Sequence, residues 1–433
     1  MTWALDFALY GGVLLALLLV GMWIPFAIGL AALFAIWLSS GFDGFRAIGM
    51  ISWTSTNSFT LTSVPMFVLM AEILLKAGVT TRVYNGLGRL VKDLPGGLLQ
   101  TNIVGCAFFA AISGSSVATA AAIGTAALPE LDRRNYDRRM AAGSLAAGGT
   151  LGILIPPSVA MILYGTFTET SIARLFMAGL IPGIVLALVF MIFIGAVALW
   201  KPEVAPSEPE RGGVREKLRG LVEILPFLVL MASVLGSLYS GIATPTESAA
   251  LGCCIALIIG VVWGKLTFKS INEALGNTVR VSGTIMLIVL MAYVFSYAVE
   301  LAGISKELTQ WLIAQEMNRY VFLLTLVGIY TVLGCLMDSI GLIVLTVPLS
   351  FGPILAYGFD PIWFGVVLVL LLELGQITPP IGMNLFVVQG ISGWSLGDVI
   401  RGAAPYWLLI LLFIAVLTAF PQLALWLPGQ MFN

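Results

Sequence analysis

Histidine is absent from all 433 residues. Without it there is no Ser-His or Cys-His dyad, no histidine-ligated haem and no histidine-containing metal site. Charge is scarce: Asp, Glu, Lys and Arg make up 10% of the chain, against ~25% in an ordinary soluble domain. The four cysteines (Cys106, Cys253, Cys254, Cys335) all lie in apolar runs. They form no CxxC and read as small reduced hydrophobes. The pattern GxxxxGK[ST] does not occur, so the chain offers ATP no P-loop of its own. The N-terminus lacks both a basic n-region and an AxA-type cleavage site, and reads as a retained first span. Neither catalysis nor a nucleic-acid partner is expected.

What remains is apolar. Hydrophobic residues make up 59% of the chain and the mean hydropathy is +1.03. Runs of about 20 apolar residues recur, each long enough to cross the hydrocarbon core. The expected class is an all-α polytopic membrane protein.

Two of these runs contain a Pro-Pro pair: GGTLGILIPPS at 148–158 and ELGQITPPIGMN at 373–384. Proline removes a backbone donor and clashes with the preceding turn, so each helix must break. A break at bilayer depth survives only where the backbone is buried in protein or lines a polar cavity. Matched breaks in two halves point to a transporter's binding site.

The halves can be aligned by subtraction. Pro379 minus Pro156 and Pro405 minus Pro182 both give 223, and the same offset carries Ser116, Asp137, Gly152, Gly179 and Pro157 onto Ser339, Asp360, Gly375, Gly402 and Pro380. We expect a first repeat over 1–200 and a second over 221–433, joined by a hydrophilic linker at 201–220. A polar stretch at Asp43–Asn57 and an interfacial helix at Lys76–Asp93 belong to the first repeat. Each half should hold five crossings, counting a Pro-broken helix (about 138–167 and 361–390), plus a hairpin (about 98–130 and 321–355). The hairpin segments are short and flank small polar residues, which favours re-entrant loops over pairs of short crossing helices.

Arg133, Arg134, Arg138 and Arg139 crowd the loop after the first hairpin, whereas its counterpart PILAYGFDPIWF has no Lys or Arg. By the positive-inside rule the first loop and the linker are cytoplasmic. The second loop and both termini are then periplasmic, and the halves are inverted.

Hydroxyls and free carbonyls gather at tips and breaks. Hard cations take oxygen ligands, and half-helix ends in transporters hold them. One sodium site per half is therefore expected, between hairpin tip and broken helix. The plainer reading is that Ser and Gly merely permit close helix packing. Asp338, at the second tip, is the sharpest feature. A carboxylate at membrane depth is a functional candidate by default, or else a cap held by neighbouring N–H groups. Glu373, one turn before the second break, is a candidate proton site. No Lys or Arg stands near either tip, so an anionic solute would rest on helix N-termini.

At these residues the sequence resembles the large membrane subunit of tripartite ATP-independent periplasmic (TRAP) transporters. The resemblance runs through FFAAISGSSVATAAAIG at 108–124, GILIPPSVAMILYG at 152–165, GLIPG at 179–183 and SGIATPTESAA at 240–250. It continues with the Met337-Asp338 tip, ELGQITPPIGMNLFV at 373–387 and FPQLALWLP at 420–428.

It implies a bacterial inner-membrane symporter of small organic acids, driven by sodium and moving as an elevator. It also implies two partners: a periplasmic solute-binding protein and a small four-helix membrane subunit, expected as a separate chain because span 1 begins at once. By motif position, Ser113, Ser115, Ser116, Gly149 and Thr150 would serve the first sodium site. Asp338, Ser339, Gly375 and Thr378 would serve the second. Ser113, Ser158, Asp338 and Asn384 would face the substrate. Ser339 stands where many relatives have proline. The competing reading within transporters is a stand-alone sodium- or proton-coupled carboxylate carrier. An intramembrane hydrolase lacks its base, and a passive scaffold leaves the paired breaks unexplained.

Overall fold

A bilayer core offers no water to backbone polar groups, so a chain this apolar satisfies them within helices. The computed structural model describes residues 2–206 and 213–431, and among them there is no strand. The first half comprises α1 (Thr2–Leu19), α2 (Ile24–Ser40), α3 (Ile48–Thr56), α4 (Ser63–Lys76), α5 (Val79–Val91), α6 (Leu98–Ser113), α7 (Ser116–Arg133), α8 (Arg138–Leu154), α9 (Val159–Thr168) and α10 (Ile172–Trp200). The second comprises α11 (Val214–Tyr239), α12 (Pro245–Val262), α13 (Phe268–Leu301), α14 (Ile304–Ala314), α15 (Arg319–Gly334), α16 (Ser339–Ala356), α17 (Pro361–Gln376), α18 (Met383–Ser392) and α19 (Leu396–Ala419), followed by α20 (Gln422–Gln430).

The offset found in the sequence reappears in the helix bounds. Adding 223 to α7 (116–133) gives 339–356, the bounds of α16. Packing repeats as well. Exchanging the halves turns the pair α2–α13 into α12–α4, α7–α18 into α16–α9, and α8–α19 into α17–α10, and all six pairs are in contact. That pattern is what a two-fold axis between the halves produces. With five crossings each, counting α8/α9 and α17/α18 as single broken spans, the halves are inverted.

The hairpin arms cannot cross alone. The 16 residues of α6 and of α15 rise ~24 Å, short of the ~30 Å hydrocarbon core. The helices sort into two bodies. One holds α1–α5 and α11–α14, with α2–α13, α4–α12 and α5–α11 as its principal contacts. The other holds the hairpins, the broken helices, α10, α19 and α20. The broken helix Arg138–Thr168 is the most enclosed of the spans: its most apolar window is wholly buried.

The polar stretch Asp43–Asn57 of the first half is helical. It folds as a 3₁₀ segment, Gly41–Ala47, and α3, since its repeat partner is the N-terminal part of the continuous α13. The linker is shorter than 201–220, because α11 already begins at Val214. The sequence VREKLRG favours helix, and its charges are used: Glu216 pairs with Lys92 and Lys217 with Asp93. Residues 207–212 of the linker lie outside the described residues. Finally, Cys254 is exposed, whereas the other three cysteines are buried; all four are free.

The interfacial helix is present as α5, bent 72° from α4. Arg89 bonds Glu223 of α11, and Lys76 bonds Glu273 of α13. In the arginine-rich loop, the side chains of Arg133 and Arg134 donate to Glu130 and hold its carboxyl below the usual range.

Candidate functional site

Each hairpin tip is a helix end followed at once by a helix start. In the first, α6 ends at Gly114, whose φ of +57° favours glycine, and Ser115 caps α7 by accepting from the Ala118 N–H. Ser113 Oγ lies 2.7 Å from Thr119 Oγ1 and 3.2 Å from the Ser115 carbonyl oxygen, to which Thr119 also donates at 2.8 Å. In the second, Asp338 caps α16. Its Oδ2 accepts from the Ile340 and Gly341 N–H groups at 3.1 and 3.4 Å, while Oδ1 is buried without a partner.

Both breaks are present. The Pro156-Pro157 and Pro379-Pro380 bonds are cis, and α8 and α17 stop just before them. Each tip sits on the break of its own half. A methyl added at Gly114 would lie 2.9 Å from the Pro157 carbonyl oxygen, and one at Gly152 would lie 2.6 Å from that of Ser115. In the second half a methyl at Gly375 would lie 2.6 Å from Gly334 Cα, and the Gly382 N–H donates to the Cys335 carbonyl. Glycine is required at these positions because only it lets backbone approach backbone so closely.

Ser113, Ser115, Ser116 and Gly149 come together at the first tip. A methyl added at Gly149 would lie 2.7 Å from Ala120 Cβ of α7 and 3.2 Å from the amide nitrogen of Asn384. Thr150 turns back, donating to the Ala147 carbonyl of its own helix. In the second half Ser339 Oγ accepts from Gln376 Nε2 at 2.9 Å, beside Asp338. Thr378 Oγ1 donates to the Leu374 carbonyl and accepts from Trp407 Nε1 at 2.8 Å.

Of the four residues expected to face substrate, Ser113 is half-buried, and Asp338 has its free Oδ1 buried. Ser158 is fully buried and caps α9. Asn384 is fully buried and ties the halves together, donating to Ser116 Oγ at 2.7 Å and to the Ala146 carbonyl at 3.2 Å.

Three residues outside the expected set belong to the site: Thr119, Gln376 and Trp407. Gln376 was the most legible of them, an amide inside an apolar run three positions before the break. Thr119 stands one helical turn from Ser116 in an alanine-rich segment. Trp407 lies in another helix, and only folding brings it to Thr378.

The chemistry left open is acceptor-rich. Asp338 Oδ1, Gln376 Oε1 and Asn384 Oδ1 are buried and unpartnered, as are both carboxylate oxygens of the fully buried Glu373. Buried acceptors without donors are costly, and oxygens of this kind suit a hard cation. Four helices also start here with their N–H groups inward. Those of α7, α9 and α16 are capped by Ser115, Ser158 and Asp338, whereas α18 follows Gly382 with no side-chain cap. An uncapped helix start favours an anion.

Comparison with known proteins identifies the family. The family described as "Tripartite ATP-independent periplasmic transporter, DctM component" matches residues 12–423. The chain is similar to the "C4-dicarboxylate TRAP transporter large permease protein DctM" of Pseudomonas aeruginosa, 33% identical over 404 residues that cover 93% of this chain and 94% of that one. It is similar to the "Sialic acid TRAP transporter large permease protein SiaM" of Vibrio cholerae, 32% identical and covering 96% of each chain. Among solved structures, the YdaH transporter of Alcanivorax borkumensis shares the fold, with a TM-score of 0.67, 16% identity and 90% of each chain covered. Sequence, fold and the two tip-on-break sites converge, and the chain belongs to the DctM-component family of TRAP transporters, the large permease subunits.

Proposed function

We propose that the chain is the permease of a sodium-coupled, binding-protein-dependent symporter that imports a small organic acid. The solute would be a dicarboxylate, a keto acid or a sugar acid such as sialic acid. The observation that carries this is the doubled arrangement of hairpin tip on broken helix, with acceptor oxygens left over at the second and Asn384 Oδ1 left over beside the first. Sodium, as cotransported substrate, would be held at the first site by Ser113, Ser115, Ser116, Gly149 and Thr150. At the second it would be held by Asp338, Ser339, Gly375 and Thr378. Thr150 offers main chain rather than its hydroxyl, which its own helix already uses. The solute carboxylate would meet the free N–H groups at the start of α18, with Ser113, Ser158, Asp338 and Asn384 around it. Asn384 would sense the first site from the second half.

Transport would proceed as an elevator. Hairpins and broken helices form one body and α1–α5 with α11–α14 the other, a division that suits sliding of one against the other. The membrane would be the bacterial inner membrane, with the arginine-rich loop and the linker inside and both termini periplasmic. A periplasmic solute-binding protein and a small four-helix subunit, carried on a separate chain, would complete the system.

The test is reconstitution with both partners. Uptake should require an inward sodium gradient and the cognate binding protein. Full uptake on a proton gradient alone would overturn the sodium reading.

A further inference from the structure

Two adjoining cavities, of about 520 and 480 Å³, separate the bodies, with α13 and α14 on one side and α16 on the other. They share Ser296, Glu300, Ser305, Pro348 and Gly352. The first also reaches α3 and Phe167, near the end of α9. These ends lie across the membrane from the arginine-rich loop, which makes this the outer face.

The wall contributed by α13 is polar. Tyr293, Ser296, Tyr297 and Glu300 stand three or four positions apart and share one helix face. Ser296 Oγ is buried there without a partner. The ends of α4 and α13 match at Ala77-Gly78 and Ala302-Gly303, an offset of 225, which sets these four positions against Val68, Ala71, Glu72 and Leu75 on the opposite side of the membrane. Three of these are apolar, and the one polar group, the Glu72 carboxylate, accepts from Asn277 Nδ2 at 3.1 Å. The first copy of the repeat thus satisfies its polar group within the helix bundle, whereas in the second Ser296 Oγ is left without a partner beside the cavity.

The charge has one sign in the first cavity. Glu300 is its single charged lining residue and makes no ion pair among the described residues. Glu169 lies close enough to act electrostatically on Tyr293. The cation Lys306 lines only the second cavity. On the other membrane face the corresponding arm is used differently, since Arg89 and Lys92 of the α5 region are paired with Glu223 and Glu216. A cleft with low-dielectric walls and an uncompensated carboxylate focuses field and concentrates counter-ions. Its lack of Lys or Arg makes the first cavity a poor reservoir for an organic anion.

We propose that the first cavity is an outer antechamber that gathers small monovalent cations ahead of the midplane sites, with Glu300 setting its field. The inference rests on the sodium-coupled reading above and adds the route by which sodium arrives. Such an effect is long-range and screened by salt, which separates it from coordination or packing.

The experiment measures initial solute uptake against sodium concentration in proteoliposomes that hold the full complex with its binding protein. Ionic strength is set low or high with choline chloride. Glu300→Gln should raise half-saturating sodium about threefold at low ionic strength, and Glu300→Lys about tenfold. Both shifts should collapse at high ionic strength, and the change should fall on half-saturation more than on the rate at saturating sodium. Lys306→Gln should move half-saturation the other way. Unchanged half-saturation in both Glu300 variants overturns the proposal, and so does a shift of equal size at both ionic strengths. Absence of sodium dependence in the unaltered complex would instead overturn the coupling on which the proposal rests.

Discussion

The two broken helices share a backbone and differ in surroundings. Pro156, Pro157 and Ser158 are buried, and Ser158 caps its helix; Pro379, Pro380 and Ile381 are exposed, and no side chain caps α18. The hairpin tips diverge in the same way. The first is a closed web of hydroxyls in which Ser113, Ser115 and Thr119 serve one another. The second carries a carboxylate and an amide, each with an oxygen left over. Duplication thus copied the device that brings unwound main chain to the midplane, and side chains then divided the labour. The first half gives a neutral, self-satisfied cradle. The second gives a carboxylate, an uncapped helix start and an exposed Pro-Pro turn.

That contrast can be tested by unequal responses to matched changes. The largest effect is expected at the second tip. Asp338→Asn keeps an acceptor for the cap but removes the charge, and uptake should fall about 100-fold or more. Co-purification with the small subunit should be unaffected; wild-type uptake by this variant would remove Asp338 from the site. Next come the glycines on which the tips rest. Gly375→Ala meets three backbone atoms of Gly334 within 3.1 Å. Gly152→Ala meets the Ser115 carbonyl and the Thr119 hydroxyl, and the hydroxyl can move aside. Each should cost about 1–3 kcal/mol, Gly375→Ala the more, read as a lower midpoint of thermal unfolding in detergent. The smallest effect is expected in the hydroxyl web. Thr119→Val deletes two neutral bonds, to Ser113 Oγ and the Ser115 carbonyl, each worth about 1 kcal/mol, and should raise half-saturating sodium only a few-fold. A loss there as deep as that of Asp338→Asn would abolish the division of labour drawn above.

Much of this was legible before folding. Composition required helices across a bilayer. The Pro-Pro pairs located both breaks, and an offset of 223 that holds from 116 to 182 exposed the repeat. These signals are local or arithmetic, and proline chemistry acts on its own turn whatever surrounds it. The ends of α3 and α11 were less legible. The polar stretch before α4 carried no element reading and the charged start of α11 read as linker, yet packing on α13 and the ion pairs at the end of α5 hold them as helix.

The sequence by itself determined that main chain must unwind twice at bilayer depth, because proline can neither donate nor continue a helix. Only the tertiary structure decided which groups meet the unwound chain. Asn384 reaching Ser116 and Trp407 reaching Thr378 join residues from different helices, and no spacing rule encodes such meetings. It also decided which oxygens remain unpaired. Whether a buried acceptor is satisfied depends on every neighbour packed around it, and those neighbours come from distant parts of the chain.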